Sequence, residues 1–240
     1  MSRLPRYILP GQPQHVIQRG NNRQVIFNAD DDYRFYLEKL TEACKKQNVE
    51  VHAYVLMTNH VHMLLSPHAE NSLGKVMQSL GRYYVQYYNY NYGRTGTLWE
   101  GRYKATLLDT ENYLLTCYRN IELNPLRANL VEHPSQYPWS SYRCNAVGKD
   151  DDLVTPHQLY KALGKNKEEQ RAAYRALFKS HISELTLSEI RHATNKEWVL
   201  GNERFREQVE KNLNRRAAPM PRGGGRKSKK YKAQYGIRRH

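Results

Sequence analysis

VEVHAYVLMTNHVHMLLS spans residues 49–66. Two valine- and leucine-rich runs flank Thr58-Asn59, which predicts strands over 49–57 and 60–66 joined by a tight turn. Thr-Asn is not the favoured Asn-Gly hairpin pair, yet the two-residue spacing still reads as a hairpin. Working outward, QHVIQR (14–19) reads as a short strand ended by Gly20. NADDDYRFYLEKLTEACKKQ (28–47) carries helix signals. Asn28 or Asp30 would cap it, acids fill its first turn, and Tyr33, Phe35, Tyr36, Leu37, Leu40 and Ala43 give it an apolar side. Beyond the hairpin, Leu73, Val76, Met77, Leu80, Tyr84 and Tyr87 recur at three- and four-residue steps and predict a second helix. TLWEGRYKATLLD (97–109) reads as a fourth strand. The stretch from 110 reads as a helix interrupted or closed near Pro125. The residue before a proline is pushed out of the α region, so Asn124 is expected at the helix end.

The order is β-α-β-β-α-β and then a helix. That is the order of an α+β, ferredoxin-like (split β-α-β) antiparallel sheet with helices on one face. A boundary is expected near NAVGKDDDLVTP (145–156), which sets a first domain at 1–147. Amphipathic helical segments then form a C-terminal extension over 148–214. From 212 onward there are ten Lys or Arg and no acid, so 215–240 is expected to be a basic disordered tail.

The whole chain has 240 residues, a formal charge of +15, a pI of about 9.7 and a mean hydropathy of -0.86. Such a balance points to a polyanion partner, and nucleic acid is the commonest. No apolar run approaches the roughly 18 residues of a membrane span, and the N-terminus lacks the apolar core of a signal peptide. The three cysteines have neither metal-like nor disulfide-like spacing, so a reducing, cytoplasmic setting is expected, with association to the nucleoid.

Two motifs could carry chemistry. His60 and His62 are two apart on a strand, so they face the same way about 7 Å apart and can converge on one divalent ion. In CYRNIELNPLRANL (117–130), Asn120 and Asn124 are four apart and share a helix face. Tyr118 lies about 200° around the axis from Asn120. Taken alone, that segment also reads as a plain amphipathic helix with an Asn-Pro stop. Tyrosines and arginines in GRYYVQYYNYNYGR (81–94), with Arg102 and Lys104 after it, suit bases and phosphates, although Tyr84, Tyr87 and Tyr88 at helical spacing also suit a core or a dimer contact.

Taken together, TNHVHMLL, GTLWEGRYKATLLD, YLLTCYRNIELNPLRANLV and YPWSSYR resemble the single-tyrosine HUH transposases, IS200-like. The branch most resembled is that of the REP-associated tyrosine transposases. The resemblance covers about residues 3–145, and LSEIRHATNKEWVLGNERFREQVE (187–210) looks like an extension seen on some members. It implies that His60 and His62 bind a divalent metal, Mg2+ or Mn2+, with Asn124 as third ligand. It also implies a tyrosine one turn before Asn124 that attacks a DNA phosphate, forms a 5'-phosphotyrosine and frees a 3'-hydroxyl.

The family pattern is Tyr-Ile-x-x-Asn-Pro, and this chain reads Asn-Ile-Glu-Leu-Asn-Pro. Asn120 therefore stands at the nucleophile position, and Tyr118 is the nearest substitute hydroxyl, on the wrong side of the helix. The implied substrate is single-stranded or hairpin DNA, and the family admits a homodimer. Arg19, Asn21, Asn22 and Arg23 would read bases beside the hairpin foot. Arg102 and Lys104, together with Arg226, Lys227, Lys229 and Lys230 of the tail, would hold phosphates. Two functions follow: a metal-assisted DNA strand-cleaving and rejoining transposase, or a cleavage-deficient hairpin-binding protein on the same fold. A metal hydrolase of small substrates would leave the charge without a purpose.

Overall fold

A computed structural model describes residues 6–218. Its strands are β1 (Gln14–Arg19), β2 (Val49–Met57), β3 (His60–Pro67) and β4 (Lys104–Leu107). They form one antiparallel sheet in the order β2-β3-β1-β4. The helices are α1 (Asp30–Gln47), α2 (Ser72–Asn91), α3 (Thr110–Glu122) and α4 (Asn124–Arg127), followed by α5 (Gln158–Lys161), α6 (Lys167–Leu177), α7 (Glu184–Lys196) and α8 (Glu203–Leu213). The sheet order is the one the split β-α-β pattern requires.

Strand alternation sorts the side chains into two layers. Val16, Leu56, Val61, Met63 and Leu65 meet Tyr36, Leu40, Val76, Leu80 and Tyr84 of α1 and α2 on one face. Ala53, Val55, Met57 and Leu64 point the other way, into a second cluster with Leu114, Cys117, Tyr118 and Ile121 of α3. A bulge between Val51 and Ala53 shifts the alternation along β2 and keeps both layers apolar. The helices of the β-α-β-β-α-β unit thus lie on one face as expected, while α3 covers the other. Tyr160, Tyr174, Ile190 and Leu200, from beyond residue 148, belong to that same second cluster. Each fully buried Leu or Ile in such a layer contributes about 1.5–3 kcal/mol.

Local structure departs from the sequence expectations at several places. Helix α1 begins after Ala29, and neither Asn28 nor Asp30 caps it. Instead the Asp32 carboxylate accepts the N–H groups of Asn28 at 2.7 Å and Ala29 at 3.0 Å. The fourth strand is four residues long instead of spanning 97–109. Gly96 and Gly101 take left-handed backbone at φ 82° and 72°, which interrupts pairing, and only the Gly20–Trp99 bridge survives upstream. The exposed edge of β4 is covered by the extension: Leu200 N–H donates to Leu107 O at 2.9 Å and Asp109 N–H to Leu200 O at 2.8 Å. Residues 215–218, assigned to the tail by composition, are packed, with Ala217 fully buried beside Val199 and Val209.

Candidate metal and DNA site

In β3, His60, His62 and Leu64 share the face that α3 covers. Arg19 pairs with His60 and Ile17 with His62 across β1, and opposed residues of antiparallel strands point the same way, so Arg19 flanks His60. The two imidazoles lie edge to face, centroids 5.0 Å apart. His60 Nδ1 is 2.6 Å from Asn59 Oδ1, which accepts its proton. His62 Nδ1 is 2.9 Å from Nε2 of His15, whose ring stacks on His62 at 5.2 Å. Burial holds His15 and His60 down at about 4, with Arg19 adding to the effect at His60. His62 is held well below its ordinary value by burial, then by His15, His60, Arg19 and Arg127. All three rings are therefore neutral at physiological pH, the state a metal ligand needs.

The helix junction comes next. Leu123 ends α3 and starts α4, so the break falls one residue before the expected position, and Asn124 opens a new turn. Pro125 has no N–H for the Ile121 carbonyl, the bond an unbroken helix would make. The Asn124 side chain supplies it: Nδ2 donates to Asn120 O at 2.9 Å and Ile121 O at 3.1 Å. Its Oδ1 is the remaining group it could offer to a cation. Arg127 closes the junction, donating to the Asn120 backbone oxygen and, at 2.9 Å, to Asn120 Oδ1. The Arg127 charge is also the last and smallest of the causes that hold His62 low.

Among the described residues no cluster of three or more His, Cys, Asp or Glu side chains is placed to hold a metal. A metal held by this pair would need a third donor of another kind, such as a side-chain amide oxygen. Two imidazole nitrogens and one amide oxygen would form a donor set that suits a divalent first-row cation.

Tyr118 lies elsewhere. Its ring is fully buried against Tyr160 and Tyr174, its oxygen takes the His157 N–H at 3.3 Å, and burial pushes the phenol far up. The loop after β1 runs along the hairpin turn: Gly20 N–H donates to Asn59 O at 2.9 Å and Asn59 Nδ2 to Arg23 O at 3.1 Å. A Cβ on Gly20 would come within 2.4 Å of Gln24 O, so glycine is required for that approach. Asn22 and Arg23 sit at φ 50° and 57°, left-handed backbone that costs about 1–3 kcal/mol for ordinary residues and concentrates at binding loops. Both side chains are exposed. Arg102 is exposed, whereas Lys104 is half-buried and its Nζ is 3.4 Å from Asn195 Oδ1 of α7. Arg226, Lys227, Lys229 and Lys230 lie outside the described residues.

Residues 12–122 match the model of the family described as Transposase IS200 like. Over these residues the chain is similar to the IS200-like transposases. The solved structure of a REP-associated tyrosine transposase bound to a REP hairpin has the same fold. The likeness has a TM-score of 0.52 at 17% identity and covers 65% of this chain and 93% of that one. A putative transposase from Deinococcus radiodurans R1 matches at TM-score 0.35 and 17% identity, over 50% of this chain and 96% of its own. No curated protein matches the chain. Among the described residues, no helix is long and apolar enough to cross a membrane.

Three residues around the IS200-like domain's histidine pair were missed by sequence reasoning: His15, Arg127 and Thr194. His15 had a signal, being a metal-binding residue type with the same strand parity as Ile17 and Arg19. Arg127 and Thr194 had none, since nothing in one dimension brings them to His62.

Tyrosines of α2 divide as helical spacing implies. Tyr84 and Tyr88 are buried, Tyr87 stacks on Phe35 at 4.0 Å, and Tyr83 and Tyr90 are exposed.

Proposed function

We propose that this chain binds hairpin or single-stranded DNA through its IS200-like domain, holds Mg2+ or Mn2+ at His60, His62 and Asn124, and does not cut DNA through residue 120. The observation that carries the reading is the neutral His60–His62 pair on the sheet face covered by α3, the helix that bears Asn120, whose Oδ1 is gripped by Arg127. When bound, a divalent ion supplies Lewis-acid polarisation of a DNA phosphate. Arg19 beside His60 gives that phosphate a guanidinium partner, which suits its geometry. The structural relative with a REP hairpin supports the substrate class, and the exposed Asn22 and Arg23 beside the hairpin turn suit the foot of such a stem. The eight Lys or Arg in 219–240 add affinity that depends on salt and not on sequence.

Loss of cleavage follows from residue 120. A carboxamide cannot form a phosphotyrosine ester, and Asn120 is 8% exposed with its oxygen held by Arg127. Tyr118 offers no substitute from inside the second core layer. The test is a hairpin oligonucleotide with Mn2+, read as retarded complex and as covalent adduct, for the natural chain and for Asn120→Tyr. Binding without adduct in the natural chain, and adduct in the variant, is the expected result. A covalent adduct formed by the natural chain overturns the non-cleaving reading.

A further inference from the structure

His62 Nδ1 and His15 Nε2 lie 2.9 Å apart, both side chains buried. A neutral imidazole has one N–H and one bare nitrogen, so this pair alone does not say which ring donates. A third residue decides it. Thr194 Oγ1, on α7, is 3.3 Å from His15 Nδ1. Its single proton is committed to the Ile190 carbonyl at 2.7 Å. Towards His15, then, Thr194 can only accept, and His15 must donate from Nδ1. That leaves His15 Nε2 bare, and His62 must donate from Nδ1 in turn. The chain of bonds ends at His62 Nε2, which keeps its lone pair.

We infer that Thr194 and His15 are positioning residues that lock His62 in its Nδ1–H tautomer and aim its bare Nε2 at a divalent cation. The inference rests on the reading of His60 and His62 as a metal pair. It gives the extension a role in the IS200-like domain, because Thr194, which sets the tautomer, is 179 positions from the His15 ring it acts through. His60 reaches the same state locally, by donating Nδ1–H to Asn59 Oδ1 at 2.6 Å. One metal histidine is thus oriented by its neighbour in sequence and the other by a helix from the far end of the chain. Partners that fix the second nitrogen of a metal-bound histidine are worth about 10–100-fold in metal affinity.

The experiment uses full-length protein labelled with 15N at histidine, first without metal. Long-range 1H–15N correlation at neutral pH reads which nitrogen of each ring carries the proton. His62 and His15 are both expected as Nδ1–H, unchanged in Thr194→Ser, which keeps the acceptor. Thr194→Val keeps the shape and removes the acceptor, so the pair can reverse and His62 should populate the Nε2–H form. Mn2+ binding, followed by the loss of free-ion EPR signal without DNA, should weaken about 10–100-fold in Thr194→Val and be retained in Thr194→Ser. His62 protonated at Nε2 in the natural chain overturns the inference, as does a Thr194→Val variant with unchanged tautomer and unchanged Mn2+ affinity. Failure of the metal reading shows differently: the natural chain would bind no more Mn2+ than His60→Ala/His62→Ala. That result would remove the purpose assigned to the bonded chain and overturn the inference as well.

Discussion

Glu122, at the last turn of α3, is a fully buried carboxylate, and its titration can be followed without DNA or metal. Its Oε1 accepts from Ser141 Oγ at 2.6 Å and Asn145 Nδ2 at 2.8 Å, and its Oε2 accepts from the Tyr174 hydroxyl at 2.7 Å. These bonds tie the helix that carries Asn120 to the segment around 140–147 and to α6. Burial raises the carboxyl from 4.5 to about 7, and the three donors only partly oppose it. A carboxyl whose folded value lies above its unfolded one favours the folded state most at low pH. That contribution is lost as pH rises through the folded value. With 4.5 unfolded and about 7 folded, linkage gives a loss of about 2–3 kcal/mol between pH 5 and pH 8. Glu122→Gln keeps the shape and the acceptor oxygen and cannot ionise. Urea unfolding of both proteins at pH 5, 6, 7 and 8 isolates the group, because the histidines contribute equally to both. The natural chain should lose about 2–3 kcal/mol relative to the variant over that range. Parallel stability curves would refute the reasoning and show that the carboxyl titrates near its ordinary value.

Two further outcomes are expected, beside those already given for Asn120→Tyr and Thr194→Val. Tyr118→Phe removes a hydroxyl whose partner is the His157 N–H at 3.3 Å; urea unfolding should show a cost of about 1 kcal/mol, with hairpin binding and adduct yield unchanged. A chain ending at residue 218 keeps the packed Ala217 and lacks the eight tail cations, so a plot of log affinity against log salt should become shallower, by about 0.7–0.9 for each DNA phosphate the tail had neutralised.

The hairpin and both flanking strand–helix units were legible because their signals are local. Alternation along 60–66 placed His60 and His62 on one side, and the structure keeps them there. The fourth strand is shorter than its composition implies because valine, leucine and aromatic content marks strand preference, whereas pairing ends where Gly96 and Gly101 turn the backbone. A proline rule puts Asn124 at a helix end. The break comes at Leu123 instead, and Asn124 stays helical before Pro125, its side-chain amide bonding the Ile121 carbonyl in place of the N–H that Pro125 lacks.

By itself the sequence determined the α+β order, the histidine pair, the amide at residue 120 and the basic charge, all of which follow from residue type and near-neighbour spacing. Only the tertiary structure decided what surrounds that pair. Sheet register puts His15 and Arg19 beside it, the α3–α4 break aims Arg127 at Asn120, and packing of the extension brings Thr194 to His15. The His15 and Thr194 contacts join segments far apart in the chain. They are made where burying apolar faces on both sides of one sheet forces distant polar groups to find partners in the same small space.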